Sequence, residues 1–273
     1  MAQITALVDA DIIVYRAAWA AEEAHAWSDG LVTLAVDPAT LVQIINTVIE
    51  SIDKALGRPR LVMALSDPKR VFRQDLYHSY KAGRKKARKP IAWAKAREII
   101  TSRYETVVFP GLEADDVLGI LATKPWRKYG QTKVVCSIDK DLRQIPGLLF
   151  NWDAPMPPEL SLQDLPGVEW IDDSQADWNF FVQALSGDAT DGVPGCPGIG
   201  PKRSKALLTA ASNPSRSVRW DEVLWPAIVS AYAKAGFNEE YALLMARLIR
   251  VLRASDWDAR KKEVRLWHPR CTT

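Results

Sequence analysis

Three cysteines, three histidines and no long apolar run mark what this 273-residue chain lacks, and each scarcity excludes something. Cys136, Cys196 and Cys271 are odd in number, widely spaced and outside any Cys-x-x-Cys pair. They form no disulfide framework or zinc site and point to a reducing compartment, the cytoplasm. His25, His78 and His268 stand beside none of the conspicuous acids, which argues against a zinc centre. No uninterrupted apolar run is long enough to span a bilayer, so no membrane partner is expected. Asp9 and Asp11 interrupt the first apolar stretch and no basic segment precedes it, so no secretory leader is expected. Net charge is also scarce: 36 Lys and Arg nearly cancel 33 Asp and Glu, leaving +3. Any affinity for a polyanion must therefore come from how the cations are distributed.

What is present is ordinary globular composition, 48% apolar and 25% charged, enough for one large domain or two modest lobes. Four short apolar runs have strand character and lead into acids. Ile4 to Val8 reaches Asp9, and Leu61 to Leu65 reaches Asp67 through Ser66. Thr106 to Phe109 reaches Glu113, Asp115 and Asp116 through a Pro-Gly turn, and Val134 to Ile138 reaches Asp139 and Asp141. Between the first two, Leu41, Ile44, Ile45, Val48, Ile49 and Ile52 recur at helical spacing, and a second helix follows the acids from Val117. Strands alternating with helices predict an α/β fold with a mostly parallel central sheet and helices on both faces. The Pro-rich stretch 151–170 reads as a surface excursion with a small hairpin. Helical patterning resumes at 177–185, after Pro201, and across 225–252.

In such sheets ligands bind beyond the carboxyl ends of the strands. One acid there is unremarkable, since Asp caps helices and ends strands. Asp9, Asp67, Glu113, Asp115, Asp116, Asp139, Asp141, Asp188 and Asp191 together would repel one another strongly unless cations joined them. Hard oxygen donors favour Mg²⁺ or Mn²⁺. Two such ions roughly 3.5–4 Å apart suit hydrolysis of a phosphodiester.

Two basic features complement the acids. Gly192 to Lys202 is rich in Gly and Pro and precedes a helix over about 203–211. Gly198 and Gly200 around Ile199 allow a tight turn whose amides, with Lys202, Arg203 and Lys205, suit a phosphate. With the preceding helix this predicts a helix-hairpin-helix over about 180–211, gripping a nucleic-acid backbone without reading bases. A plain Gly/Pro connection between helices is the alternative. From Lys69 to Arg103 twelve cations face only Asp75 and Glu98. Arg70, Arg73, Lys81, Arg84 and Lys85 would hold the phosphate backbone opposite the acids, and Tyr77 and Tyr80 would stack on unpaired bases. A solvated helix face is the plain alternative here.

Taken together these blocks resemble the 5′-nuclease superfamily of flap endonucleases and 5′→3′ exonucleases, and most closely its bacteriophage branch. The resemblance rests on Leu-Val-Asp-Ala-Asp, Ala-Leu-Ser-Asp…Val-Phe-Arg, Tyr-Lys-Ala-Gly-Arg, Gly-Leu-Glu-Ala-Asp-Asp, Ser-Ile-Asp-Lys-Asp and Gly-Asp-Ala-Thr-Asp-Gly-Val-Pro-Gly…Gly-Ile-Gly-Pro-Lys, in that order. It implies a first metal site served by Asp9, Asp67, Glu113, Asp115 and Asp116. A second would be served or supported by Asp139, Asp141, Asp188 and Asp191. It places Lys81 and Arg84 on the scissile phosphate, makes Asp116 essential to cleavage, adds Arg16 as a phosphate contact, and implies K⁺ at the hairpin. Ala10 stands where the family commonly has Gly, and Asp11 is an added acid without an assigned role. The implied lobes are an α/β core over 1–176, with a basic arch over about 69–103, and a helical lobe over 177–273. The implied activity is metal-dependent 5′→3′ exonuclease and flap or nick endonuclease action on DNA by a monomer, extending to RNA primers in RNA/DNA hybrid. The setting would be the host cytoplasm if the chain is phage-encoded. A ribonuclease of the PIN type and a non-catalytic DNA-binding protein are the competing readings.

Overall fold

The computed structural model describes residues 4–28, 30–86, 88–125, 129–130, 132–154, 167–212 and 220–269, without the side chains of Lys85 and Lys86. Strands β1 (Thr5–Asp9), β4 (Arg60–Ala64), β5 (Glu105–Val107), β6 (Lys133–Cys136), β7 (Gly147–Phe150) and β8 (Val168–Ile171) form one sheet in the order β5-β4-β1-β6-β7-β8. All neighbours are parallel except β7 and β8. The stretch 151–170 connects that antiparallel pair, β7 ending before it and β8 starting near its end; the small hairpin expected within it falls largely on residues 155–166, which lie outside the described set.

The period of two decides which helix each strand residue meets. Ala6, Val8, Met63, Val134 and Cys136 point to one face, with α1 (Ala10–Ala20), α2 (Pro38–Ala55) and α4 (Trp93–Arg103). Leu7, Val62, Ala64 and Val135 point to the other, where α5 (Ala114–Thr123) packs. Burial on both faces explains why these strands read as continuous apolar runs. The buried positions of α2 are Leu41, Ile45, Ile49 and Ile52, each worth about 1.5–3 kcal/mol when fully removed from water. Asp37 caps that helix through the amides of Ala39 and Thr40, with Pro38 at its first turn.

Helices α6 (Asp173–Ser186), α7 (Pro201–Ala211), α8 (Trp220–Lys234) and α9 (Glu239–Ile249) pack around Phe180, Leu208, Ile228, Tyr232 and Met245. The chain after α9 leaves this bundle: Val251, Leu252 and Trp257 join the α5 side of the sheet, and Trp257 stacks on Phe109 at 5.5 Å. The expected helical lobe over 177–273 thus lends residues 251–257 to the α/β core before Trp267 returns to the bundle, edge-on to Phe180 at 5.0 Å and Trp225 at 5.2 Å. A small sheet of β9 (Trp257–Asp258) and β10 (Glu263–Val264) closes that segment.

The basic stretch 69–103 divides. Its first part contains α3 (Arg73–Leu76) and a 3₁₀ turn over Ala82–Lys86; its last part is α4, whose Ala96, Ile99 and Ile100 are core residues. An exposed hairpin of β2 (Glu22–Ala26) and β3 (Val32–Val36), absent from the sequence-based expectation, joins α1 to α2. Among the described residues no helix is long and apolar enough to cross a membrane.

Candidate active site

The acids gather beyond the carboxyl ends of the parallel strands. Asp9 ends β1 and caps α1, accepting from the amide of Ile12 at 3.4 Å. The Ser137 hydroxyl donates to it at 2.8 Å and accepts from the amide of Asp139 at 3.0 Å, so one small side chain links the ends of β1 and β6. Burial first, and the neighbouring Asp11 second, push the Asp9 carboxyl up to about 7. Asp115, in the first turn of α5, is held well above the ordinary carboxylate range by burial and by Asp9 and Asp139. Asp141 rises to about 7 through burial, Asp139 and Asp188, and accepts from Gln183 at 2.6 Å.

A raised carboxyl keeps a proton in the folded chain that the unfolded chain releases. The stability contributed by protonated Asp9 and Asp141 is therefore full below about pH 4 and lost as pH rises to about 7. A divalent ion bound to these acids would relieve that loss only where protons no longer compete with it. Calorimetry should show Mg²⁺ raising the Tm more at about pH 8 than at about pH 5.5. Equal increments at the two pH values would remove these carboxyls from the ion site.

The remaining acids are paired with protein donors. Asp67 binds the amides of Gly111 at 2.8 Å and Lys69 at 2.9 Å, which hold its carboxyl below the usual range. It ties the end of β4 to the β5–α5 loop. Glu113 contacts Lys81 and Arg73 and accepts from Tyr80 at 2.8 Å; burial alone would raise it, but the cations take it down to about 2. Asp116 is fully buried, bonded by Arg73 at 2.6 and 2.8 Å and by the Leu252 amide at 3.1 Å. Asp191 meets Arg84 at 2.5 Å and Lys81 at 3.2 Å. Asp188 accepts from the amides of Thr190 and Asp191 within its own turn.

Lys81 stands between Glu113 and Asp191, its amide donating to the Asp191 carbonyl at 2.8 Å. Burial alone would depress it, but the two acids raise its pKa and keep it charged. Gly192 permits this approach: its φ is +71° and a Cβ there would lie 2.9 Å from the Ser79 carbonyl. Arg84 is half exposed.

Two expected DNA contacts are corrected. Arg73 is only 3% exposed, and its five N–H donors are used by Glu113, Asp116 twice, and the carbonyls of Leu248 and Arg250. Tyr80 is 3% exposed, with its hydroxyl on Glu113 and Asp191, so its ring has no face for a base. Tyr77 is half-buried against the helical bundle. Arg70 pairs with Asp75, and Arg16 with Asp153 at 2.6 Å, both in solvent. The side chain of Lys85 lies outside the described residues.

The glycine-rich loop joins α6 to α7. Gly187 and Gly195 pass so closely that a Cβ on either would meet backbone within 2.5 Å. Gly198 has φ +73°, Gly200 caps α7, and both are exposed with Lys202 and Lys205. Ile199 instead turns its side chain into the bundle, and its amide donates to the Cys196 carbonyl at 3.0 Å.

Asp11 acquires partners that its sequence position did not reveal: the amide of Ser66 at 3.1 Å and Arg97 at 3.4 Å. Ser137 and Gln183 are likewise functional neighbours that the sequence patterns did not single out. The Ser-Ile-Asp-Lys-Asp block contained the first signal, but nothing local announced the second.

The donor set suits a hard divalent cation: oxygens throughout, with Asp9, Asp115 and Asp141 raised first by burial and then by neighbouring carboxylates. Among the described residues no three acids, His or Cys converge closely enough to hold one ion as placed. Lys81 and Arg73 sit among the acids instead.

Residues 4–148 match the family described as 5′-3′ exonuclease, N-terminal resolvase-like domain. The chain belongs to this family. Its relatives include the exodeoxyribonuclease of Enterobacteria phage T3, 29% identical over 289 residues, covering 97% of this chain and 92% of that protein. The exonuclease of Escherichia phage T7 is also 29% identical, covering 96% and 93%. A flap endonuclease Xni from Shewanella oneidensis is 34% identical over 140 residues, half of this chain. The fold is that of the bacteriophage T5 flap endonuclease in its complex with DNA and metal ions, with a TM-score of 0.61, 17% identity, and 90% and 89% of the two chains covered.

Proposed function

We propose that the protein is a divalent-metal-dependent 5′→3′ exonuclease that also cleaves DNA at flaps and nicks, and that it accepts RNA primers in hybrid. The observation that carries this reading is Lys81, a half-buried cation held between Glu113 and Asp191 at the carboxyl edge of the sheet.

Asp9, Glu113, Asp115, Asp139, Asp141, Asp188 and Asp191 would hold two Mg²⁺ or Mn²⁺ ions, with Asp67 and Asp116 acting behind them through the groups they bind. When bound, the ions would supply a hydroxide nucleophile at neutral pH and stabilise the leaving oxygen. Lys81 leaves the acids for the scissile phosphate, helped by Arg84, which brings fixed positive charge to where negative charge develops. Arg16, Arg70 and Tyr77 flank the strand, and Lys85 extends the same basic face. The turn Gly198–Gly200 offers backbone amides, Lys202 and Lys205 to duplex phosphates, with K⁺ as a bridging ion. We read residues 1–176 as the cleaving part and the helical lobe over 177–273, with its helix-hairpin-helix over about 180–211, as the gripping part of a monomer acting in the cytoplasm, the host's if the chain is phage-encoded.

The test compares 5′-labelled flap, nicked duplex and single-stranded RNA, with Mg²⁺ and with chelator. Cleavage of flap and nick that stops with chelator is expected. Chelator-resistant cleavage would end the metal mechanism, and preference for unpaired RNA would replace this reading with a ribonuclease. Replacing Lys202 and Lys205 by Ala should flatten the dependence of duplex affinity on salt by about 0.9 in slope for each phosphate no longer neutralised. An unchanged slope would take the hairpin off the backbone.

A further inference from the structure

Where α9 ends, the backbone of residues 248–252 is gripped by the same groups that support the carboxylates. The Leu248 and Arg250 carbonyls accept from Arg73 at 2.9 and 2.5 Å. Between them, the Ile249 carbonyl accepts from Gln144 at 3.1 Å, and the Val251 amide donates to the other end of Gln144 at 3.2 Å. The Leu252 amide donates to Asp116. Five consecutive residues thus have a backbone group bonded to a side chain of the α/β lobe.

Those side chains reach different acids. Arg73 binds Glu113 and Asp116. Gln144 donates to Gln183 at 2.5 Å, and Gln183 donates to Asp141. Arg73, Gln144 and Asp116 are each no more than 3% exposed, so water does not substitute for any of these bonds. The strap is also pressed against α5: a Cβ on Gly119 would lie 2.2 Å from the Leu252 carbonyl oxygen. At one end it continues into α9, which packs on α6, the helix that carries Gln183 and leads into the glycine-rich loop.

We infer that the strap Leu248–Leu252 is a positioning element through which the helical lobe sets both groups of carboxylates. Arg73 relays its position to Glu113 and Asp116, and the Gln144–Gln183 pair relays it to Asp141. The consequence for cleavage rests on the nuclease reading above: seating a duplex on the helical lobe fixes the acids through the strap.

The experiment uses the full chain carrying Arg73→Lys, Gln183→Met, both together, or Gly119→Ala. Lysine keeps the charge of Arg73 but has three donors instead of five, and cannot hold two carbonyls and two acids at once. Gly119→Ala alters no acid and no basic residue, yet displaces the strap. Readouts are Tm, Kd for nicked duplex in chelator, Ca²⁺ affinity by calorimetry, and single-turnover cleavage with Mg²⁺. Each single change should lower Ca²⁺ affinity and cleavage rate by roughly 10–100-fold, as for groups standing behind metal ligands, with duplex Kd unchanged. The double variant should lose clearly less than the product of the single losses, because both act on one element. Losses that multiply, or Ca²⁺ affinity unchanged in Gln183→Met and Gly119→Ala, would overturn the inference. A wild-type chain that binds Ca²⁺ but cuts no DNA would sink the nuclease reading and leave the Ca²⁺ cycle to decide the strap.

Discussion

Arg73→Met lowers stability by about 3–5 kcal/mol, the cost of stranding buried charge when one partner of an ion pair is removed. For a chain of this size that is on the order of 10 °C in Tm, measurable by calorimetry. The reason lies in the donors: methionine offers none to Glu113, Asp116 or the two carbonyls that Arg73 serves. The effect has a pH signature. Glu113 is held down to about 2 from an ordinary 4.5, so its stabilising contribution is full above about pH 4.5 and lost as pH falls toward 2. Without Arg73 that contribution shrinks, so the gap between variant and wild type should be widest at neutral pH and close on acidification. A gap that stays constant with pH would show that poorer packing, not stranded charge, sets the cost.

The second large effect is on rate. Lys81→Ala should slow single-turnover cleavage by roughly 10²–10³-fold, the range for removing one preorganised donor from a developing negative charge. Duplex affinity should change little, since Lys81 is only 17% exposed and tied to Glu113 and Asp191 before substrate arrives. A matching fall in affinity and rate would make Lys81 a general anchor for the backbone. An unchanged rate would remove it from the scissile phosphate.

Much of the sheet could be read from the chain because each central strand is buried on both faces and ends near an acid. Thr5–Asp9 and Lys133–Cys136 emerged where the apolar runs placed them. In the hairpin of β2 and β3 only Val-Thr-Leu-Ala-Val has strand preference; its partner Glu-Glu-Ala-His-Ala has little, and both strands are mostly exposed, so no buried face marks the pair. Arg73 and Tyr80 were misplaced for a different reason. In a run of cations, one arginine that turns inward is indistinguishable from its neighbours until its partners are known. Those partners lie 40 to 177 positions away in sequence, in the acidic block and beyond α9. The same distance hid Gln183, whose role depends on Asp141 and Gln144 meeting it from another lobe. Local chemistry marked the acids; only tertiary pairing shows which of them are engaged by protein donors.

The strap after α9 also bears on when the enzyme becomes complete during synthesis. Every acid of the cluster has been translated by Asp191, yet the carbonyls that fix Arg73 belong to Leu248 and Arg250. A chain still tethered to the ribosome, with that segment inside the exit tunnel, has its carboxylates but not the frame that aligns them. The order of residues along the chain thereby delays the alignment of a DNA-cutting centre until residues 248–252 have emerged.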